Sequence, residues 1–201
     1  MTLKLILVRH GETDWNRILR IQGAKSDSPL NQKGMQQAED LASRLERENI
    51  RAVYSSPLKR ALNTAKAIAT RHRLEVITTP LLREIEAGEL EGVATAELGT
   101  RFSYYLIRDG VEKRIPGGES LTDLQERCWG FIEQIKQDYT SGSVLLVSHY
   151  FAILSVICAV LELPLANIMR LRMSNASISI IVSDDDMTRL ELFNDTSCIT
   201  P

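Results

Sequence analysis

Basic residues are not in excess in this 201-residue chain: 24 Lys and Arg stand against 26 Asp and Glu, a formal net charge of -2. Without a positive surface, the counterion release that drives binding to duplex DNA or long RNA has no source, and that class of function is excluded. Cysteine is scarce too. Cys128, Cys158 and Cys198 are odd in number and widely spaced, which builds neither a disulfide framework nor a zinc site and suits a reducing interior. No Asp/His cluster has metal-ligand spacing, so neither a metal nor another cofactor is implied. The longest apolar run, Phe151 to Leu161 ahead of Glu162 and Pro164, is shorter than the ~20 residues of a membrane span and reads as a buried helix. The apolar start of the chain is cut off by Arg9 and His10, so it is no secretory signal. These absences predict a cytoplasmic protein without a membrane partner. No repeat, low-complexity tract or Pro/Ser-rich linker divides the sequence, and residues 1–201 are taken as one domain.

What is present is an ordinary globular balance, 44% hydrophobic and 25% charged, sufficient for a hydrophobic core. Runs rich in Val, Ile and Leu predict strands at Leu3–Val8, Ala52–Ser55, Val76–Thr78, Val144–Ser148, Ile178–Val182 and Arg189–Leu192. Helices are predicted between them. Asn31 caps one that runs to about Glu48, with Met35, Ala38, Leu41, Ala42 and Leu45 on its apolar face. Ser56 and Pro57 are read as N-cap and first turn of a helix through Thr70. Ser120 with Asp123 starts a third, to about Tyr139, and Phe151–Leu161 is the fourth. Strands without internal alternation, separated by helices, predict a three-layer α/β/α fold with a mostly parallel central sheet. The last two strands, around Asp184-Asp185-Asp186, predict a hairpin and hence an antiparallel edge strand.

In such sheets ligands gather at the carboxyl ends of the strands. Arg9-His10-Gly11, Ser55-Ser56, the loop after Thr79, and Ser148-His149 all fall there. Alone, Arg9 and His10 are a cation and an imidazole that end a strand, with Gly11 allowing a sharp turn. His72, between Arg71 and Arg73 late in a helix, reads as solvated or C-capping.

The first of these segments resembles a known signature. Arg9-His10-Gly11-Glu12-Thr13 with Asn16 is similar to the hallmark of the histidine phosphatase superfamily, the phosphoglycerate mutase-like proteins. The resemblance continues in order through Gln22-Gly23, Pro29-Leu30 with Gly34 and Gln37-Ala38, and Ser55-Ser56-Pro57-Leu58-Lys59-Arg60-Ala61 with Thr64-Ala65. It is completed by Leu82-Arg83-Glu84-Ile85, Leu90-Glu91-Gly92, Pro116-Gly117-Gly118-Glu119-Ser120 and Val147-Ser148-His149. Several ordered motifs carry far more weight than one.

The resemblance implies a metal-independent phosphatase for small phosphomonoesters, with His10 as nucleophile and Glu84 as proton donor. The residue chemistry agrees. Arg9 and Arg60 offer planar forks matched to phosphoryl oxygens, and the positive end of the Arg60 helix is expected to face the same site. Asn16 and backbone N–H groups near Gly11 are expected as neutral donors, with Gln22 and Gly23 in the binding set. His10 must be neutral to attack phosphorus, a state that two adjacent guanidiniums favour. His149 is expected to donate a hydrogen bond to the phosphoryl oxygens. Spacing alone does not single out Glu84 from Glu86, Glu89 and Glu91; the Leu-Arg-Glu match does.

Two departures from the family stand out. Tyr150 follows His149 where Gly is common, which puts a phenol at the rim of the site. The long insert of the cofactor-dependent mutases is missing between Gly92 and Pro116, which favours hydrolysis over mutase-type transfer. A cap segment is expected at about 93–115, where Arg101, Phe102, Tyr104, Tyr105, Arg108, Lys113 and Arg114 mix cations with aromatics. The substrate stays open among sugar phosphates, phosphoglycerate-type esters, phosphoserine and α-ribazole phosphate. A phosphoglycerate mutase and a catalytically silent phospholigand-binding protein are the alternatives. A homodimer is suggested by the family alone.

Overall fold

A strand covered by helices on both faces needs apolar residues without alternation, and Leu3–Arg9 (β1) meets that need near the middle of the sheet. A computed structural model of the protein describes residues 2–98, 106–107, 110–185 and 187–200. There β1 is joined by Ile50–Ser55 (β2), Val76–Thr78 (β3), Gly142–Ser148 (β4), Ile178–Ser183 (β5) and Thr188–Asp195 (β6). Their order across the sheet is β3-β2-β4-β1-β5-β6. The β1–β4, β2–β4 and β2–β3 pairs are parallel, while β5 runs against both of its neighbours. The fold is α/β with a mostly parallel sheet, and the reversed strand lies one place in from the edge.

The described helices are Asp14–Arg17 (α1), Gln32–Leu45 (α2), Lys59–His72 (α3), Thr95–Leu98 (α4), Leu121–Asp138 (α5) and Tyr150–Val160 (α6). Alternate residues of each strand point to opposite faces, and the core divides accordingly. Leu5, Leu7, Val144 and Leu146 pack with Cys128, Ile132 and Ile157 of α5 and α6. Ile6, Val8, Val53, Leu145 and Val147 pack with Leu41, Leu45, Ala65 and Ile68 of α2 and α3. Asn31 caps α2 through the Gly34 N–H, and Ser120 with Asp123 forms a full capping box on α5.

Three local expectations are corrected. Met35 is exposed and Gly34 occupies the buried position beside it, because α2 crosses the loop after β1 too closely for a long side chain. Ser56 does not cap α3: that helix begins at Lys59 with Leu58 at its N-cap and no side-chain cap. The Ser56 hydroxyl lies between the Leu58 N–H and the His149 ring instead. The N-terminus of α3 does not face the site openly either, since Lys59 N–H donates to Asp27 Oδ1 at 2.7 Å. Of the expected cap, residues 99–105, 108 and 109 lie outside the described residues, and with them Arg101, Phe102, Tyr104, Tyr105 and Arg108. Within its described part, Arg114 pairs with Asp123 at 2.9 Å.

The contact between α2 and the β1 loop is a sharp test of packing. A Cβ built on Gly34 would overlap the backbone carbonyl of Glu12. Alanine gains about 1 kcal/mol of helix propensity over glycine, whereas overpacking costs about 1–3 kcal/mol. Here the obstacle is backbone, which cannot rotate aside, so the clash outweighs the propensity. Gly34→Ala is expected to lower the melting temperature in a thermal scan; a rise would show that the loop yields.

Candidate active site

β1, β2 and β4 end side by side, and the residues just beyond them converge. His10 follows β1 and is 3% exposed. Its backbone is fixed by His10 N–H to Ser148 O (3.1 Å) and by Ala176 N–H to His10 O (3.1 Å). Nδ1 lies 2.7 Å from Gly11 O, and a carbonyl can only accept, so Nδ1 carries the proton. Nε2 is then left with its lone pair. Burial first, then Arg60 and Arg9, hold the imidazole well below its ordinary 6.5, against the pull of the Gly11 carbonyl. The ring is neutral across the physiological range.

Arg60, in the first turn of α3, is 1% exposed. Nη1 donates to Ser26 O and Nη2 to Gly23 O, both at 2.7 Å, and Nε donates to His149 Nδ1 at 3.2 Å. Those contacts engage three of the five N–H groups of a guanidinium. Arg9 donates to Met173 O at 2.6 Å, lies 5.0 Å from the centre of the Tyr150 ring, and keeps a buried Nε without a partner. Burial brings both arginines down to about 10, which leaves them charged at neutral pH. His149 differs from expectation. With Nδ1 accepting from Arg60, its proton is on Nε2 and is directed at Ser56 Oγ, 2.8 Å away. No proton of His149 points into the cavity; it braces Arg60, 5.1 Å from the His10 ring between centroids.

Glu84 lies in the loop after β3 and is buried. Oε1 accepts from Ile85 N–H at 2.9 Å, and the carboxylate also takes the N–H groups of Phe151 and Ala152. A side chain from a distant loop thereby satisfies two of the open donors at the start of α6. Burial raises this carboxyl above its ordinary 4.5, although the Ile85 and Phe151 amides, Arg60 and Arg9 all pull it down. The neighbouring acids are elsewhere. Glu86 pairs with Arg83, Glu89 is exposed, and Glu91 accepts from the Lys25 and Ser26 N–H groups.

The remaining expected residues divide. Asn16 lines the cavity, with Oδ1 held by Thr13 and Asn175, so its amide protons are the part left to offer. Gln22 lines it as well, with Oε1 buried and unpartnered; turning the amide would present a donor there. Gly23 adopts a φ of +60°, open to glycine at little cost, and uses its carbonyl on Arg60. The expected backbone donors near Gly11 are taken: Gly11 N–H goes to Thr64, Glu12 N–H to Gln37 and Thr13 N–H to Asn16. His72 ends α3 half-buried, outside this cavity.

The cavity holds about 560 Å3. Beyond the cations its wall is largely apolar, with Ile21, Leu98, Ile115, Phe151 and Met169, and it also includes Arg20 and Arg172. Sequence reasoning placed Thr64 in a motif but missed its role as acceptor for Gly11 N–H; it also missed Asn175 and Met173, which no local signal marks, and the pairing of Ser56 with His149. Tyr150 is the clearest gain in meaning. Its hydroxyl donates to Leu171 O at 3.1 Å while its ring supports Arg9, so the phenol fixes the segment that also accepts from Arg9. A cation over an aromatic face is worth about 0.5–2 kcal/mol. Tyr150→Phe, which retains the ring, is expected to hold competitive inhibition by inorganic phosphate within about two-fold, whereas Tyr150→Gly weakens it about ten-fold. Equal inhibition constants in both variants would exclude a ring contribution.

Comparisons with known proteins identify the family. The family model described as "Histidine phosphatase superfamily (branch 1)" matches residues 5–196. "Probable phosphoglycerate mutase GpmB" of Proteus mirabilis is 41% identical over 180 residues, covering 88% of this chain and 83% of the relative. Phosphoserine phosphatase 1 of Hydrogenobacter thermophilus is 36% identical over 182 residues, 89% of this chain and 86% of the relative. A crystal structure of a phosphoserine phosphatase mutant from Entamoeba histolytica in complex with phosphoserine superposes with a TM-score of 0.89 at 29% identity, covering 98% and 100% of the two chains. The chain belongs to the histidine phosphatase superfamily, branch 1, and the activity that accompanies this membership is that of a phosphatase.

Proposed function

We propose that this phosphatase hydrolyses small phosphomonoesters in two displacements at phosphorus, with His10 as nucleophile and Glu84 as proton donor. One observation carries the proposal: the neutral His10 ring, its proton tied to Gly11, lies within the field of the buried Arg60 and the half-buried Arg9. A phosphomonoester brings close to two negative charges, which Arg9 and Arg60 are placed to accept. His10 Nε2 bonds to phosphorus as the ester P–O bond breaks, and Glu84 passes its proton to the departing alkoxide. Water then attacks phosphorus, Glu84 takes back a proton, and the P–N bond breaks to release inorganic phosphate. Positioning and charge stabilisation account for most of such catalysis, and the arginines supply the charge without assigning a step to a metal ion.

Phosphoserine is the ester named for two of the relatives, and its charge suits the cations here; the apolar far wall of the cavity also suits esters with a larger organic part. A cytoplasmic location belongs to the same proposal and is supported by three free cysteines. Among the described residues no helix is long and apolar enough to cross a membrane.

The direct test is a panel of phosphomonoesters, phosphoserine and aryl phosphates included, assayed for inorganic phosphate with a chelator present. Release of phosphate is expected; isomerised substrate without release would indicate mutase transfer instead. His10→Ala is expected to abolish turnover, and acid-labile, base-stable phosphate should be trapped on wild-type His10. Retained turnover in that variant would end the mechanism. Glu84→Gln is expected to reduce kcat/KM about 100-fold for alkyl phosphates, within the usual range for a lost general acid. The loss should be small for p-nitrophenyl phosphate, whose leaving group needs no proton. Equal losses on the two ester types would remove Glu84 from the acid role.

A further inference from the structure

The loop that carries Glu84 has little backbone ladder to hold it. After the short turn Pro80–Leu82 the chain from Arg83 to Ala87 is irregular, yet the carbonyls from Leu81 to Glu84 are answered one after another by side chains. Arg127 of α5 donates to Leu81 O and Arg83 O at 2.9 Å each and to Glu84 O at 3.0 Å. Ser148 Oγ donates to Leu82 O at 2.7 Å. The other side of the Arg127 guanidinium is gripped by Glu119, at 2.6 Å from Nη2 and 3.1 Å from Nε. All five donors of this guanidinium are thereby engaged. Glu119 in turn accepts from Glu86 N–H at 2.9 Å through Oε1, and its own N–H donates to Glu86 O at 3.0 Å.

This is a well-built clamp. The two side chains are only 19% and 11% exposed, a setting in which a bidentate pair is far less screened than a surface one. A Cβ on Gly118 would overlap the Glu86 carbonyl, so the close approach of the 116–119 turn to the acid loop depends on that glycine. Neither Arg127 nor Glu119 lines the cavity. Their contacts go to the segment that determines where the Glu84 carboxyl sits.

We propose that Arg127, oriented by Glu119, is a positioning residue for Glu84: it fixes the carbonyls of residues 81, 83 and 84 and so aims the carboxyl at the leaving-group oxygen. The inference rests on the assignment of Glu84 as proton donor. A misplacement of about 1 Å in a reacting group costs on the order of 100-fold, while a leaving group that needs no proton is indifferent to it. The clamp therefore matters to one class of substrate and not to the other.

The test is a double-mutant cycle read as kcat/KM, which reports steps up to release of the alcohol, on an alkyl phosphate and on p-nitrophenyl phosphate. Arg127→Met is expected to lose ten-fold or more on the alkyl ester and less than about three-fold on the aryl ester. Added to Glu84→Gln, it should cause no further loss on the alkyl ester, because the group it aims is already disabled. Equal losses on both esters, or a full additional loss in the Glu84→Gln background, would assign Arg127 a general structural role and overturn the proposal. Should Arg127→Met fail to fold, Arg127→Lys keeps the charge with fewer donors and enters the same cycle, with a smaller loss of the same ester dependence expected. The single variant Glu84→Gln reports separately on the acid assignment, so a failure there is distinguishable from a failure of the clamp.

Discussion

Two guanidinium groups held close together and largely out of water are the constraint on which the rest of this structure depends. Burial penalises both charges and Arg9 adds a smaller repulsion at Arg60, which is why Arg9 and Arg60 descend to about 10. They remain in place because carbonyls of Met173, Gly23 and Ser26 accept from them and the Glu84 carboxyl lies within their field. The consequence for chemistry is immediate. Burial first, and then these cations, hold the imidazoles of His10 and His149 well below their ordinary 6.5, so a lone pair is kept ready and the site favours a dianion in place of added protons. His149 gives up direct contact with the cavity to steady one of the cations.

The second dependence runs between Glu84 and α6. A carboxylate at a helix N-terminus is stabilised by the open N–H groups and by the helix dipole, and those contacts lower its pKa. Burial acts in the other direction and prevails. The same side chain is thus a cap for one helix and a carboxyl that burial raises above its ordinary 4.5. Because its backbone has no ladder, its placement is delegated to α5 and the 116–119 turn, far away in the sequence.

Much of the fold was legible in the sequence. The runs Leu3–Val8 and Val144–Ser148 read as buried strands and are found as Leu3–Arg9 and Gly142–Ser148, and the Ser120–Asp123 box starts α5 where the spacing predicts. The failures have a common physical source. Ser56 looks like a helix cap because local chemistry favours it, but the His149 ring claims its hydroxyl. Met35 lies at helical spacing on an apolar stripe, yet the stripe is narrowed where α2 meets the Glu12 backbone. Periodicity reports which face is apolar; it does not report how close another segment comes. Arg127 carries no signal at all in the sequence, being one more cation on an amphipathic helix.

By itself, then, the amino-acid sequence determined the residue types of the site, their order along the chain, and their arrival at the ends of neighbouring strands, because strand and helix periods are local properties. It also contained Glu84 among four acids without distinguishing it by spacing. Tertiary structure decided which acid is buried against the cations, which nitrogen of His10 is free, and that His149 holds Arg60 instead of facing the cavity. It also decided that the N–H groups after His10 are already occupied. Those outcomes depend on which donors and acceptors from remote segments meet in a water-poor space, and hydrogen bonding there is settled by packing across the whole fold.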